Sequence, residues 1–507
     1  MKKKSLFNLT LTVVGLFISG PAVFAGASGT PAAPKIRVLV DPRIELMSVV
    51  FRLAGNPEYS QGSVASYVAD VERHFGRFRE HAAVARVRSL RASRGISYNA
   101  PMSLAVYLTD AETLGERVPL DPLPPGVDER WRPADARAFL ADLRAFVRET
   151  DFMSFFKAHK PLYQTAVNRL EQELDSRGRL AEDWEEPPPA QLVEWFDGFF
   201  GGRPGADFII ILGMLNGGAS YGASARRGDG GEEIYSILGV WVLDVNGQPR
   251  FDRGILSTVA HEFCHSYTNP LLDKHKTELR PAGEKIFPYV AGDMKRQAYG
   301  DWLTMMYESL DRACGVRYAL FLDGRQAAAK EAAANREKGF LWTGELADLL
   351  GEYETHRDRY PTLDAFFPRI VAFFDAYCGR VERDLAALVE EKRKELEALK
   401  EKSPKIVSLI PADGAQDVDP DLEAIVVTFD RPMKRGNIAV MVLDQAKFPR
   451  TPGRAVYNPT GTMLKIPVTL ERGREYVLGL NGLGYLVMQD DLGHPLAPVV
   501  IKFKTRK

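Results

Sequence analysis

The sequence predicts an α+β protein: a mostly helical N-terminal unit with a small sheet, followed by an all-β module. Three observations carry this. Apolar residues recur at helical spacing through most of the chain up to residue 402. Two continuous apolar runs, Phe208 to Leu212 and Ile234 to Val245, read as buried strands. From Lys405 the texture changes to short alternating strands separated by turn residues. At 507 residues the chain exceeds the roughly 100 to 200 typical of one domain, so more than one folded unit is expected. With 45% hydrophobic and 26% charged residues it matches a globular protein rather than a disordered, fibrous or membrane-embedded one.

Residues 1–25 read as an export signal: a basic start at Lys2 to Lys4, an apolar run from Leu9 to Ser19, and a small-residue cleavage pattern at Val23-Phe24-Ala25. The mature chain is then expected to begin near Gly26 and to be periplasmic or extracellular. The apolar run is too short to span a bilayer, and no later stretch is long enough, so no membrane span is expected. Without the signal, 63 basic residues stand against 67 acidic ones, a net charge of −4, and no basic stripe remains to bind nucleic acid. Cys264, Cys314 and Cys378 are too few for a disulfide scaffold.

After a small-residue leader at 26–34, Ile36 to Val40 reads as a short strand, and Ser63 to Arg94 as one or two amphipathic helices. A proline-punctuated connection at Pro119 to Pro133 leads into helical patterns over 134–150, 152–175 and 189–199. Between the two strand-like runs lies a Gly-rich stretch, Asn216 to Ser224, expected as a polar loop, and the second run ends at the Asn246-Gly247 turn signal. Further helices run from 252 to 402. The last of them, 386–404, is charged and reads as a solvated helical linker between a first domain at 35–385 and a second at 405–507.

The chemistry concentrates at 261–265, His-Glu-Phe-Cys-His, preceded by apolar residues at helical spacing. Positions i and i+4 share a helix face, so His261 and His265 can bind one ion, with Glu262 beside them as a base for a metal-bound water. One Zn2+ per chain is the expected cofactor, held by three protein groups with a fourth position open. Thr268 and Leu271 stand where a three-histidine version needs Gly and His, which leaves an acid downstream. Among Asp273, Asp293, Asp301, Glu308 and Asp311, Glu308 is favoured because it lies in a continuous helical pattern from Trp302 to Ala319. Its bland alternative is a surface ion pair with Arg312 at i+4. Cys264 faces away from both histidines and is read as core, and His275 as a loop residue.

His261-Glu262-x-x-His265 with Glu308 in Tyr-Glu-Ser-Leu-Asp-Arg-Ala resembles the gluzincin class of zinc metallopeptidases, although Tyr307 replaces the common Asn before the glutamate. Residues 36 to 380 also resemble an uncharacterised family of secreted bacterial proteins described as a peptidase domain of unknown function. The shared features are the helix motif, Glu308 to Ala313 and the Gly217 to Gly222 segment. The resemblance implies a mostly helical, zincin-like catalytic domain. Its substrate would be a peptide or protein, laid as an extra strand along Asn216 to Tyr221 or Tyr235 to Val242. The oxyanion or substrate contacts would come from Tyr221, Tyr299, Tyr307 or Arg312.

Pro411, Gly414, Phe429, Pro432 and Met433 resemble bacterial Ig-like domains of surface-layer and cell-wall proteins, which implies a β-sandwich and a cell-wall or surface partner. Two other readings compete with a peptidase. One is an inactive zincin-like binding or adhesion protein, and the other a purely structural zinc site, which normally has four ligands and uses Cys heavily.

Overall fold

The structure is a computed structural model and describes residues 36–176, 188–203, 205–252, 254–482 and 485–507. The expected export signal at 1–25 and the leader at 26–34 lie outside the described residues.

Two separate apolar cores organise the chain, one built from residues between Val40 and Val381 and the other from residues between Val418 and Phe503. In the first, a four-stranded sheet has the order β1-β2-β4-β3. Its strands are β1 (Arg37–Leu39), β2 (Ala206–Gly213), β3 (Tyr221–Arg226) and β4 (Glu232–Gly239). The pairs β1/β2 and β2/β4 are parallel, and β3 runs antiparallel on the outer edge of β4. Burial on both faces explains why β2 and β4 are written as continuous apolar runs.

Among the described residues eight α-helices precede β2: α1 (Pro42–Leu53), α2 (Ala65–Phe75), α3 (Ala82–Arg94), α4 (Asn99–Ala105), α5 (Pro133–Glu149), α6 (Phe152–Ala158), α7 (Lys160–Ser176) and α8 (Pro188–Phe200). Of these, α2, α3 and α5 to α8 realise the helical patterns expected there, with the 152–175 pattern split at His159 into α6 and α7, whereas α1 and α4 lie in stretches where no helix was expected.

Two long helical elements follow, α9 (Ile255–Arg296) and α10 (Trp302–Glu337), and they run antiparallel. Thr268 meets Asp311, and the Tyr307 hydroxyl donates to Asp273 Oδ1 at 2.6 Å. The helix α9 contains Pro270, Pro281 and Pro288. Pro270 has no N–H to offer the carbonyl of Ser266 four residues back. Arg203 supplies the missing donor, giving Nη2 to Ser266 O at 3.1 Å while its guanidinium lies 3.8 Å over the Tyr267 ring.

The helix α10 is not one rod. A straight helix would put Arg312 and Asn335 about 35 Å apart, yet Arg312 Nη1 donates to Asn335 Oδ1 at 2.8 Å. The chain reverses at Gly324, whose φ of 80° and ψ of −171° lie in a region open essentially to glycine alone. An outgoing arm and a return arm therefore form a hairpin.

Three more helices, α11 (Thr343–Thr355), α12 (Leu363–Tyr377) and α13 (Val381–Leu399), complete the unit. The segment expected as a solvated helical linker, 386–404, is helical as far as Leu399 as the last part of α13, and most of its residues are exposed. It buries Leu388 and Leu396 and is ion-paired to the return arm of α10 through Arg336–Glu391 at 2.8 Å and Lys392–Glu337 at 2.6 Å.

Beyond it, two four-stranded sheets form the expected sandwich, in the orders β5-β7-β10-β9 and β6-β12-β11-β8. The first holds β5 (Ile406–Ile410), β7 (Ala424–Phe429), β9 (Val456–Tyr457) and β10 (Met463–Pro467). The second holds β6 (Ala415–Val418), β8 (Val440–Met441), β11 (Glu475–Leu480) and β12 (Val499–Thr505). Inward-facing Val427, Leu464, Leu478 and Ile501 are fully or almost fully buried between them. No helix among the described residues is long and apolar enough to cross a membrane.

Candidate metal centre

His261 and His265 lie one turn apart on α9, and Glu308 reaches them from the outgoing arm of α10. One donor atom from each falls within 4.8 Å of the others. His261 Nε2 is 3.5 Å from Glu308 Oε2, and His265 Nε2 is 3.7 Å from Glu308 Oε1. Glu262, 6% exposed, has its Oε2 4.0 Å from His265 Nε2. Three donors with a carboxylate alongside are what an open, reactive zinc site requires, and a closed structural site would use four.

Behind His265 stands Asp311, fully buried, with Oδ2 2.5 Å from the Nδ1 of the imidazole. Thr268, one turn along α9, donates its hydroxyl to the other oxygen of Asp311. A carboxylate on Nδ1 fixes the ring and turns Nε2 toward the ligand position, a standard backing for a metal-bound histidine. Asp311 is among the acids that the sequence offers as a third ligand. The structure gives it this supporting place instead, three residues beyond Glu308 on the same helix face.

The expected ion pair between Glu308 and Arg312 exists, at 3.1 Å, but it is buried. Arg312 also donates to the Tyr299 hydroxyl at 3.0 Å and to Asn335 on the return arm. It therefore holds one oxygen of Glu308 in place rather than competing at the surface. Burial alone would push the Glu308 carboxyl up. The hydrogen bond and charge of His261, with Arg312 and His265, outweigh burial and hold it well below the usual range. Glu262, with no such partner, is pushed up by burial against the pull of His261 and His265. Burial would lower the His265 imidazole, but Asp311 overrides it and pushes it up to about 10.

The other candidate contacts divide. Tyr299 and Arg312 stand at the donor set, whereas Tyr307 is turned to Asp273. Tyr221 is 7% exposed and packs toward the Tyr59 ring, with centroids 6.4 Å apart. It lies on the face of β3 opposite Gly222, and burial raises its hydroxyl. Gly222 is the residue that touches the centre: a Cβ there would sit 2.2 Å from the Glu262 carbonyl and 2.9 Å from His265 Cβ. The strand β3 can cross the helix at this point only because position 222 has no side chain.

Of the two segments expected to receive an added strand, Tyr235 to Val242 is ruled out, because β4 is sandwiched between β2 and β3. The edge strand on the side of α9 is β3, β1 being the opposite edge, and β3 begins at Tyr221, within the stretch expected as a loop. Cys264 is core, as expected. His275 is on α9 rather than a loop, with Nε2 3.1 Å from Asp364 Oδ1 and its ring stacked on Phe367.

A family model described as a domain of unknown function (DUF4932) matches residues 36–373. The chain belongs to the DUF4932 family. The DUF4932 region covers the first core, the sheet and all of the candidate metal centre, and a bacterial Ig-like domain matches residues 400–505. No curated protein matches the chain. Among solved structures it is similar to surface layer protein SbsC, domains 1–6, at 17% identity over 49% of this chain and 34% of that one, with a TM-score of 0.15. It is also similar to the S-layer protein rSbsC(31-844), at 19% identity over 53% of this chain and 36% of that one, with the same TM-score of 0.15. The chain thus spans about a third of the length of both. Likeness of that order has no bearing on its fold or its site.

Proposed function

We propose that this DUF4932 chain is an exported, zinc-dependent metallopeptidase of gluzincin type. The observation that carries the reading is the convergence of His261, His265 and Glu308 on one point, with Glu262 beside them and Asp311 behind. The donor set fits zinc in kind and number: two imidazole nitrogens, one carboxylate and a fourth side left open.

Bound there, zinc would polarise a water and lower its pKa to about 7. Glu262, beside His265, would accept the proton of that water and return it to the leaving amine. Arg312 fixes Glu308, and Asp311 fixes His265. The Tyr299 hydroxyl, hydrogen-bonded to Arg312, stands where a donor could meet developing negative charge on a substrate carbonyl. The edge strand β3 crosses α9 at Glu262, so a peptide added to β3 would run past the same point.

The Ig-like domain favours a second reading, a surface or cell-wall binding protein that has kept the metal without turnover. One set of variants separates the two. Purified chain should carry about one zinc, lost in His261→Ala and in Glu308→Ala. Glu262→Gln should keep its zinc and lose peptide hydrolysis by at least about a hundredfold. Absence of zinc from the wild type after zinc is supplied would sink the metallopeptidase reading. Unchanged function in Glu262→Gln would favour the binder.

A further inference from the structure

The helices that carry the metal donors also carry two of the three cysteines. Cys264 lies between His261 and His265 on α9, and Cys314 lies one and a half turns beyond Glu308 on α10. Both are fully buried and free. Cys264 lies one turn before Thr268 on α9 and Cys314 one turn beyond Asp311 on α10, so the antiparallel contact made by Thr268 with Asp311 sets the two cysteines opposite each other one turn further along. Cys378 stands apart at the end of α12, where its Sγ donates to the Asp375 carbonyl at 3.0 Å.

The pairing is not what packing alone would select. A buried thiol behaves as a small hydrophobe, so alanine, serine or valine would fill either position. Two such positions opposed on the two ligand-bearing helices place the sulfurs where one bond would join the donor set. The side-chain contacts between the two helices in this stretch include Thr268 with Asp311, Tyr307 with Asp273, and Glu308 with His261 and His265.

We propose that Cys264 and Cys314 form a disulfide in the exported protein, tying the helix of His261 and His265 to the helix of Glu308. In the reaction the two thiols are oxidised and a disulfide donor of the export compartment, protein or low-molecular-weight, is reduced. One S–S bond forms, the donor's S–S bond breaks, and the two thiol protons pass to the two thiols released. Because both sulfurs are inaccessible in the folded chain, the exchange takes place while α9 and α10 are docking. Once formed, the bond is shielded from reduction. It closes a loop of about fifty residues, long enough for the cross-link to constrain the unfolded chain strongly. The donor spacing would then be set by a covalent tie and would survive removal of the metal.

The test uses the full chain exported to the periplasm of a bacterial host, denatured without reductant and alkylated with iodoacetamide. The expected result is one alkylated cysteine, Cys378, and a proteolytic fragment joining the Cys264 and Cys314 peptides that separates on reduction. Reductant should also lower the melting temperature of the wild type by several degrees and leave that of Cys264→Ser unchanged. Three alkylated cysteines, or a cross-link that includes Cys378, would overturn the proposal. The thiol count is independent of metal content, so its failure would leave the zinc reading standing, and the reverse.

Discussion

At the scale of single residues, the centre depends on groups that touch the donors rather than on the donors alone. His261, Glu262 and His265 were legible because helical periodicity is local: four residues make one turn. Glu308 was legible as an acid inside an apolar helical pattern. The supporting place of Asp311 was not, because which imidazole nitrogen faces which acid is decided by how α9 and α10 pack. Asp311→Asn should weaken zinc binding about 10- to 100-fold, read by competition with a chelating dye, while the chain still folds. Protons compete with the metal at the same ring. The His265 pKa is raised from 6.5 to about 10 by Asp311, so the metal-free fold draws stability from this pair at pH below 6.5 and loses it as pH rises through about 10. Zinc requires the neutral ring, so its affinity should climb with pH across that window, with a proton released on binding. Calorimetry in buffers of different ionisation enthalpy would show this, and a pH-independent affinity would refute it.

At the scale of elements, β2, β4 as far as Gly239 and most helices were readable from apolar spacing, while α1 and α4 were not expected and the run past Gly239 is not strand. Two further features were not readable, for opposite reasons. The edge strand β3 (Tyr-Gly-Ala-Ser-Ala-Arg) has no β-branched residue and only Tyr221 as an aromatic, and its smallness is what the close crossing of α9 at Gly222 demands. The hairpin in α10 was hidden because its alanine-rich return arm continues a helical pattern across a single glycine. Gly324→Ala should therefore cost about 1 to 3 kcal/mol in denaturant unfolding, since no other residue tolerates that backbone conformation. It should also loosen Asn335 from Arg312. Unchanged stability would mean that the reversal is carried by neighbouring residues.

At the scale of the whole molecule, the division into a helical unit and a β-sandwich was legible from the change of texture at Lys405, and each half has its own core. Residues 400–507 expressed alone should fold and unfold cooperatively, while the remaining chain keeps its zinc stoichiometry. A truncated chain that lost zinc would show that the two halves are energetically one. Between them stands α13, fastened to the return arm of α10 by Arg336–Glu391 and Lys392–Glu337, next to Asn335. A chain held at a surface by its last domain and pulled through its first would carry tension along this line toward Glu308. Part-exposed ion pairs are worth up to about 1 kcal/mol each, and α13 adds to them only the burial of Val381, Leu388 and Leu396, less than the core contacts behind it, so α13 would peel away first. It would act as a mechanical fuse, lengthening the tether before any load reached the metal.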